Sequence, residues 1–345
     1  MKKLLSLIFI LGLCLLGLFA CENSKVTYKD PATGEEKEMK IETTTNEQEV
    51  SDSLYAVALS EQPVKEVSAA SATIEFKADL TGKNEKGVDQ KAKFEGKLEI
   101  NESFDKNAKF ETTADVIKAL AFSAKLEAKG TLPKEDGTTE SFAKSTVELY
   151  LEEGVLYAKV ALDAKLAAFI AENADEYGAM IQLVNEKTLK LDTNTLVPAQ
   201  PLTEEQKADL NAVIKGESDK TLKQLLEENG MKLEDLKAEL DAVVKELGLT
   251  ITKVKGGEVT YSADVSKKAF DNENPKSKLT VDVTINVAEV SFVGASVKAE
   301  LNEDEVKGTA SITLEVNYKA SVAKISSADK EKAVDFMSLM GGGIM

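Results

Sequence analysis

The sequence contains no histidine and no arginine, and every one of its 43 basic residues is a lysine. Without histidine, neither a Ser-His-Asp triad nor a Cys-His pair can form, and the commonest zinc ligand is missing. Without arginine, no side chain can hold a carboxylate or phosphate by two parallel hydrogen bonds, although lysine can still act as a point charge. We therefore predict a protein that is not an enzyme, with no catalytic residue, no metal site and no cofactor.

The chain is strongly acidic, because 60 Asp and Glu residues give it a formal net charge of -17. Such a surface repels phosphate backbones, whose partners need basic patches to release counterions. We therefore expect no nucleic-acid partner. At 345 residues and 43% hydrophobic content, the chain is nevertheless able to bury a sizeable core.

The amino terminus has the parts of a bacterial export signal. Two lysines precede an apolar run from Leu4 to Phe19, which is too short to cross a hydrocarbon core that needs ~20 helical residues. The run ends in Leu18-Phe19-Ala20-Cys21, which resembles the bacterial lipobox. The alternative is an uncleaved membrane anchor in which Cys21 is incidental.

The lipobox resemblance implies cleavage after residue 20 and a diacylglyceryl group on Cys21, with an amide-linked third chain such as palmitate as an option. Two acyl chains hold a protein on a bilayer where one exchanges reversibly. We therefore expect an exported protein whose membrane partner, the cell membrane or the outer membrane, is reached through Cys21. The other cysteine, Cys14, follows a leucine rather than a small residue and would leave with the signal, so no intrachain disulfide can form.

Residues 21–45 are polar and charged, as expected of a lipid-anchored tether. Short apolar patterns around Val26 and Met39 flank the turn-rich segment 30–34, so a small hairpin is the alternative. Asn46, with Glu49 three residues later, then predicts the start of a helix that ends before Pro63.

Alternating apolar and polar residues predict strands through most of the remaining chain. Six are expected before residue 163, in segments 70–80, 92–100, 108–114, 120–128, 147–151 and 157–161, and five after residue 248, in segments 249–254, 259–265, 279–287, 293–299 and 310–322. Helical spacing dominates the insert 163–247, and a last helix is expected at 327–340. We predict an α+β fold in one domain, 46–345, with a curved antiparallel half-barrel sheet of about eleven strands and the insert packed on its concave face.

This order of elements resembles the LolA/LppX-type lipoprotein-carrier fold over about residues 46–324. The hairpin segment Tyr150–Tyr157, YLEEGVLY, is similar to one found in lipid-carrier-like lipoproteins of Gram-positive bacteria. The resemblance implies a space between sheet and helices that can admit acyl chains. The functional arginine of the family's carrier has no counterpart here.

One set of apolar residues is predicted to line either an apolar ligand cavity or a packed core. Its members are Ile74, Phe76, Phe94, Phe110, Phe122, Leu126, Leu149, Leu236 and Leu240. Many neighbouring positions on the same strand faces are Ala or Gly, which leaves room for either helices or a ligand. Two functions follow: a carrier or sensor of a lipid-like ligand, or a surface lipoprotein with a filled core that acts in protein interaction or structure.

The lipidation prediction is tested by replacing the cysteine. Cys21→Ala removes the only sulfur in the lipobox, so we expect loss of label when cells are fed an alkyne fatty acid. Cys14→Ala is the matched control and should leave the label unchanged. Undiminished label on the Cys21 variant would contradict the lipoprotein prediction.

Overall fold

The computed structural model describes residues 25–341 except 32, 63–68, 85, 135, 174–177, 216–220, 229, 271–274, 289, 304–305 and 319–320. The export signal, Cys21 and Pro63 lie outside the described residues, so the predictions made for them stay predictions. Within the described ranges, no helix is both long and apolar enough to cross a membrane.

Fourteen strands are present in the described part of the chain. They are β1 Lys25–Lys29, β2 Glu36–Lys40, β3 Ala69–Lys83, β4 Asp89–Phe104, β5 Leu120–Pro133, β6 Thr139–Glu152, β7 Val155–Ala161, β8 Thr188–Asp192, β9 Thr250–Lys255, β10 Glu258–Asp264, β11 Lys278–Asn286, β12 Ser291–Asn302, β13 Val306–Asn317 and β14 Val334–Asp335.

Ten α-helices accompany these strands in the same residues. They are α1 Glu47–Ala58, α2 Thr113–Ala119, α3 Ala164–Asn173, α4 Gly178–Val184, α5 Glu204–Lys215, α6 Leu222–Glu228, α7 Leu233–Leu247, α8 Ser266–Ala269, α9 Ser327–Lys332 and α10 Phe336–Gly341. A short 3-10 helix covers Thr193–Thr195.

Twelve of the strands form one open sheet in the order β14-β8-β7-β6-β5-β4-β3-β13-β12-β11-β10-β9, and β1 pairs with β2 separately. Strands β3 to β8 pair antiparallel in succession, as do β9 with β10 and β10 with β11, whereas β14 pairs parallel with β8. The predicted α+β class, with a curved, mostly antiparallel sheet and helices, is confirmed.

The chain divides into two compact units. The first comprises Met1–Val67, Ala212–Ala299 and Leu314–Tyr318, and the second comprises Ser68–Asn211, Glu300–Thr313 and Lys319–Met345. The predicted helical insert is shared between them, because α3 and α4 belong to the second unit whereas α6 and α7 belong to the first.

The first unit contains a fully buried core between helices and sheet. Helices α1, α6 and α7 contribute Val50, Leu226 and Leu236, and the sheet contributes Val259 and Ile285. Amphipathic spacing explains this arrangement, because Leu236, Leu240 and Val244 recur at intervals of four along α7 and bury one face. Gly248 ends α7 in the left-handed conformation, which glycine adopts without steric cost.

The β1–β2 hairpin also belongs to the first unit. Val26 pairs with Met39 in the register, and Val26 and Ile41 are each only 2% exposed within the core. Tyr28 forms an isolated bridge with Ser60, after α1. For residues 25–40, the hairpin alternative is therefore the one that the structure describes.

The second unit is built on the antiparallel meander β3 to β8. After β13, the chain returns to this meander, and Ile325 N–H donates to Glu152 Oε1 at 2.7 Å. Lys330 pairs with the other oxygen of Glu152 at 2.6 Å, and Lys159 pairs with Asp329 at 3.1 Å. The carboxyl-terminal segment is thereby fastened to the polar side of β6 and β7.

Three predicted elements were wrong. The expected strand at 108–114 is a loop that leads into α2, because Thr112 and Asp115 form a capping box and this local signal outweighs a short alternation. The expected all-helical insert contains β8, whose alternating Leu189 and Leu191 pair with β7. The expected final helix is interrupted at β14.

The packing of α7 gives a stability prediction. Leu236 is 0% exposed in the first unit, so Leu236→Ala should lower the free energy of unfolding by about 2–5 kcal/mol through lost burial and a cavity. Leu196 is 57% exposed, and Leu196→Ala should change it by no more than about 0.5 kcal/mol. Urea denaturation of both variants measures the difference, and equal losses would contradict the described core.

Candidate functional site

Five strands of the second unit present a continuous apolar surface, which we call the apolar face. Its first row crosses the register directly and consists of Ile74, Leu98, Leu126, Val147 and Val160. The next row consists of Ala72, Ile100, Ala124, Leu149 and Ala158. All ten side chains are only partly buried, so the face is covered less completely than the core of the first unit.

A glycine lets one aromatic ring of this face lie flat on the sheet. Phe76 is the register partner of Gly96, and a Cβ placed on Gly96 would come within 2.1 Å of Phe76 Cζ. The ring therefore occupies the space in which any other residue at position 96 would place its side chain. A large side chain that lies down in this way fills little of the volume above the strands.

Two further phenylalanines meet near the far end of the same face. Phe94 pairs with Ala78 on one side and with Gly130 on the other, and its ring centroid lies 6.2 Å from that of Phe142. Phe122 lies at the opposite end, where it pairs with Leu151. Phe94 and Phe122 are partly buried, whereas Phe142 is buried.

The predicted lining residues do not all lie on this surface. The six on it are Ile74, Phe76, Phe94, Phe122, Leu126 and Leu149. Phe110 is buried in the loop before α2, and Leu236 and Leu240 are buried in the core of the first unit. For those two leucines the packed-core alternative applies, and the cavity interpretation stays a prediction for the other residues.

Sequence reasoning missed Leu98, Ile100 and Val147 as members of the face. All three follow the same alternation as the predicted residues, so the signal was present. The strand register could not be read from the sequence, and only the pairing of the strands places Leu98 between Ile74 and Leu126.

The opposite face of the same strands carries charges of alternating sign. Nearly every lysine in it has a carboxylate as its register partner on the next strand. The pairs are Glu75 with Lys97, Lys77 with Glu95, Asp79 with Lys93, Lys97 with Glu127, Glu95 with Lys129, Glu99 with Lys125, Lys125 with Glu148, and Glu148 with Lys159. We call this surface the charged face.

An open depression of about 400 Å³ lies in the charged face. Its walls consist of Glu75, Lys77, Glu95, Lys97, Glu127, Lys129 and Lys144, with Gly96 and Ala128 completing the lining. The ammonium group of Lys129 is 3.0 Å from Glu95, and that of Lys144 is 2.6 Å from Glu127. Because these groups neutralise one another, the depression offers neither a clear anion site nor a clear cation site.

Glu127 is the most strongly perturbed acid of this surface. Hydrogen bonds from Lys125, at 2.8 Å, and Lys144 hold the pKa of its carboxyl down at about 2. A depressed pKa means that folding stabilises the charged carboxylate relative to the protonated acid.

Among the described residues, buried Ser51 lies beside Lys237, which is an arrangement that could pair a nucleophile with its base. Ser51 is 1% exposed in the first unit, and Lys237 Nζ donates to its Oγ at 2.8 Å. Burial alone would lower the pKa of Lys237, but hydrogen bonds to Asp241 and Asp52, at 2.6 and 2.9 Å, outweigh it and raise the pKa. A lysine held as ammonium cannot accept the serine proton, so the cluster fastens α1 to α7.

The lowered pKa of the Glu127 carboxyl predicts how the free energy of unfolding depends on pH. Because the pKa is lower in the folded state, this contribution is fully present above about pH 4.5 and is lost as the pH falls towards about 2. Glu127→Gln should therefore lose less stability than the parent between these values, and each exposed pair contributes only about 0.2–1 kcal/mol. Urea melts at several pH values measure this, and the same substitution at exposed Glu36 is the control. An identical pH dependence in the parent and the Glu127 variant would contradict the assignment.

The described residues contain no group of three or more His, Cys, Asp or Glu side chains arranged to hold a metal ion. A scan of the sequence against models of protein families found no match, and a search of curated proteins found none either.

Proposed function

We propose that the chain is an exported bacterial lipoprotein, held on a membrane by acyl chains on Cys21, and that its second unit binds or carries an apolar, lipid-like ligand without catalysing a reaction. The single observation that supports ligand binding is the partial exposure of the apolar face. The lipobox resemblance at Leu18-Phe19-Ala20-Cys21 supports the anchor.

The contrast between the two units makes this observation informative. In the first unit, helices bury Val259 and Ile285 of the sheet almost completely. In the second unit, the corresponding surface keeps Ile74, Leu98 and Leu126 partly accessible to water. Contiguous apolar surface left accessible in this way is typical of a binding surface.

The chemistry of the surface restricts the ligand. The two central rows of the apolar face contain only aliphatic side chains and alanine, and the lysines of the same strands lie on the charged face. The carboxylates Glu102 and Glu140 share the apolar side but lie outside these two rows, as partners of Phe122 and Leu132. An occupant of the two central rows therefore gains burial of hydrocarbon and no ion pair. Acyl chains fit this requirement, and Ala72, Ala124 and Ala158 supply the space that they need.

The alternative is a surface lipoprotein that acts through protein contacts. It is supported by Leu196 and Val197, two adjacent aliphatic residues that are 57% and 41% exposed. Their loop is held in place, because Thr193 N–H donates to Gly154 O and Thr113 N–H donates to Gln200 O, each at 3.0 Å. An exposed apolar pair on a fixed loop suits a protein partner.

The ligand proposal predicts different outcomes for two alanine-to-phenylalanine substitutions. Ala124→Phe places a ring on the partly exposed apolar face, so it should abolish lipid co-purification while costing little stability. Ala263→Phe places the same ring in the buried core of the first unit, where overpacking should cost about 1–3 kcal/mol. Native mass spectrometry of gently extracted protein reads bound lipid, and thermal melts with and without added fatty acid read stability.

The parent must first show a bound lipid or a fatty-acid-dependent melting temperature. If it shows neither, and if Ala124→Phe destabilises the protein as much as Ala263→Phe does, the apolar face is a packed core. The ligand proposal would then fail, and the tethered interaction protein would remain.

A further inference from the structure

The β1–β2 hairpin is an integral part of the first unit rather than an extension from it. Val26 and Ile41 are buried in the same core as Leu59 of the segment after α1. Tyr28, which packs against this core, forms a bridge with Ser60. An attachment that restrains the start of β1 therefore restrains the whole folded first unit.

The chain between the proposed anchor and this hairpin is very short. Cys21 precedes Lys25, the first residue of β1, by four positions. Four residues span at most about 14 Å in any conformation, because each adds no more than ~3.6 Å. The start of β1 is therefore confined to within that distance of an acylated Cys21.

The direction of the strands determines which end of the hairpin is close to the membrane. β1 runs from Lys25 towards the turn after Lys29, and β2 returns from Glu36 to Lys40, which is the register partner of Lys25. Lys25 and Lys40 thus share the anchored end. Glu36 lies four residues back along β2, about 13 Å away at the usual strand rise.

The charges at the anchored end are compatible with a lipid surface. Two like charges placed directly opposite each other on paired strands repel, and in this protein each lysine pairs with an exposed carboxylate: Lys25 with Glu38, and Lys40 with Glu42. Each lysine is therefore balanced by a carboxylate, which leaves this end close to neutral in a chain whose net charge is -17. A nearly neutral surface is not repelled by lipid headgroups, whereas a surface with an excess of carboxylates is repelled by an anionic leaflet.

From these observations we infer that the lipidated protein holds its first unit directly against the bilayer, with the Lys25 and Lys40 end of the hairpin facing the headgroups and the turn pointing away. This inference rests on the proposed acylation of Cys21. It replaces the expected spacer of residues 21–45 by a link of four residues.

The test uses the lipidated full chain in phosphatidylcholine vesicles that contain a nitroxide-labelled headgroup lipid, a short-range quencher. An introduced cysteine is the only free thiol once Cys21 is acylated, so Lys40→Cys and Glu36→Cys can each carry one fluorophore. Both positions are exposed on β2, which makes them a matched pair. We expect strong quenching at position 40 and little at position 36.

A flexible insertion tests whether the short link is the cause. About twenty Gly and Ser residues placed between Ser24 and Lys25 would span roughly 25 Å and should reduce quenching at position 40 to the level at position 36. Flotation of the same samples with the vesicles reads the anchor separately. Protein that floats with equal quenching at both positions would overturn the orientation and leave the lipoprotein proposal intact, whereas protein that does not float would overturn both.

Discussion

The burial of the apolar side of a β-sheet is the constraint on which both units depend. A strand with alternating residues makes one side apolar, and that side must be covered by helices, by another sheet, or by something that is not part of the chain. In the first unit, α1, α6 and α7 provide the cover, and Leu222, Leu236 and Val244 are almost fully buried. In the second unit, Ile74, Leu98 and Leu126 stay partly accessible. The proposed ligand would cover the apolar surface that stays partly accessible in the second unit.

The proposed acylation of Cys21 would restrict how far the folded protein can move from the membrane. A long polar tether would let the folded part explore a wide volume above the membrane, whereas the proposed four-residue link would keep the first unit at the surface. Because Val26 and Ile41 are core residues, the anchor would then act on the buried core of the first unit and not on a loose extension. A lipid ligand would then be collected or delivered close to the bilayer.

The strands were predictable from the sequence because their alternation is long and regular. Segments such as 70–80 and 92–100 repeat the pattern over many residues, and both lie within observed strands. The errors occurred where the signal was short or overlapped with another one. Thr112 and Asp115 form a cap inside an apparent alternation, and the five residues of β8 were hidden between helical patterns.

The candidate site was only partly predictable. Alternation showed that Ile74, Phe76 and Leu149 point to one side of their strands, but strand order and register were needed to bring them together. Leu236 and Leu240 show the same limit, because helical spacing revealed their shared stripe and gave no information about which unit it would bury. The flat ring of Phe76 over Gly96 had no signal in the sequence beyond the glycine itself.

The alternating charges of the second unit have a consequence for strand alignment during folding. A strand that slips by one residue exposes its apolar side and is rejected by the hydrophobic effect, but a slip by two residues restores the apolar pattern and escapes that penalty. On the charged face, a two-residue slip of β5 along β4 would move Lys97 from Glu127 to Lys125 or Lys129. Either slip would place two or three pairs of like charges opposite each other, including Glu127 opposite Glu95 or Glu99. Each native pair contributes only a fraction of a kcal/mol. Together, however, the charged pairs disfavour the two-residue slip, which the alternation of apolar and polar residues does not prevent.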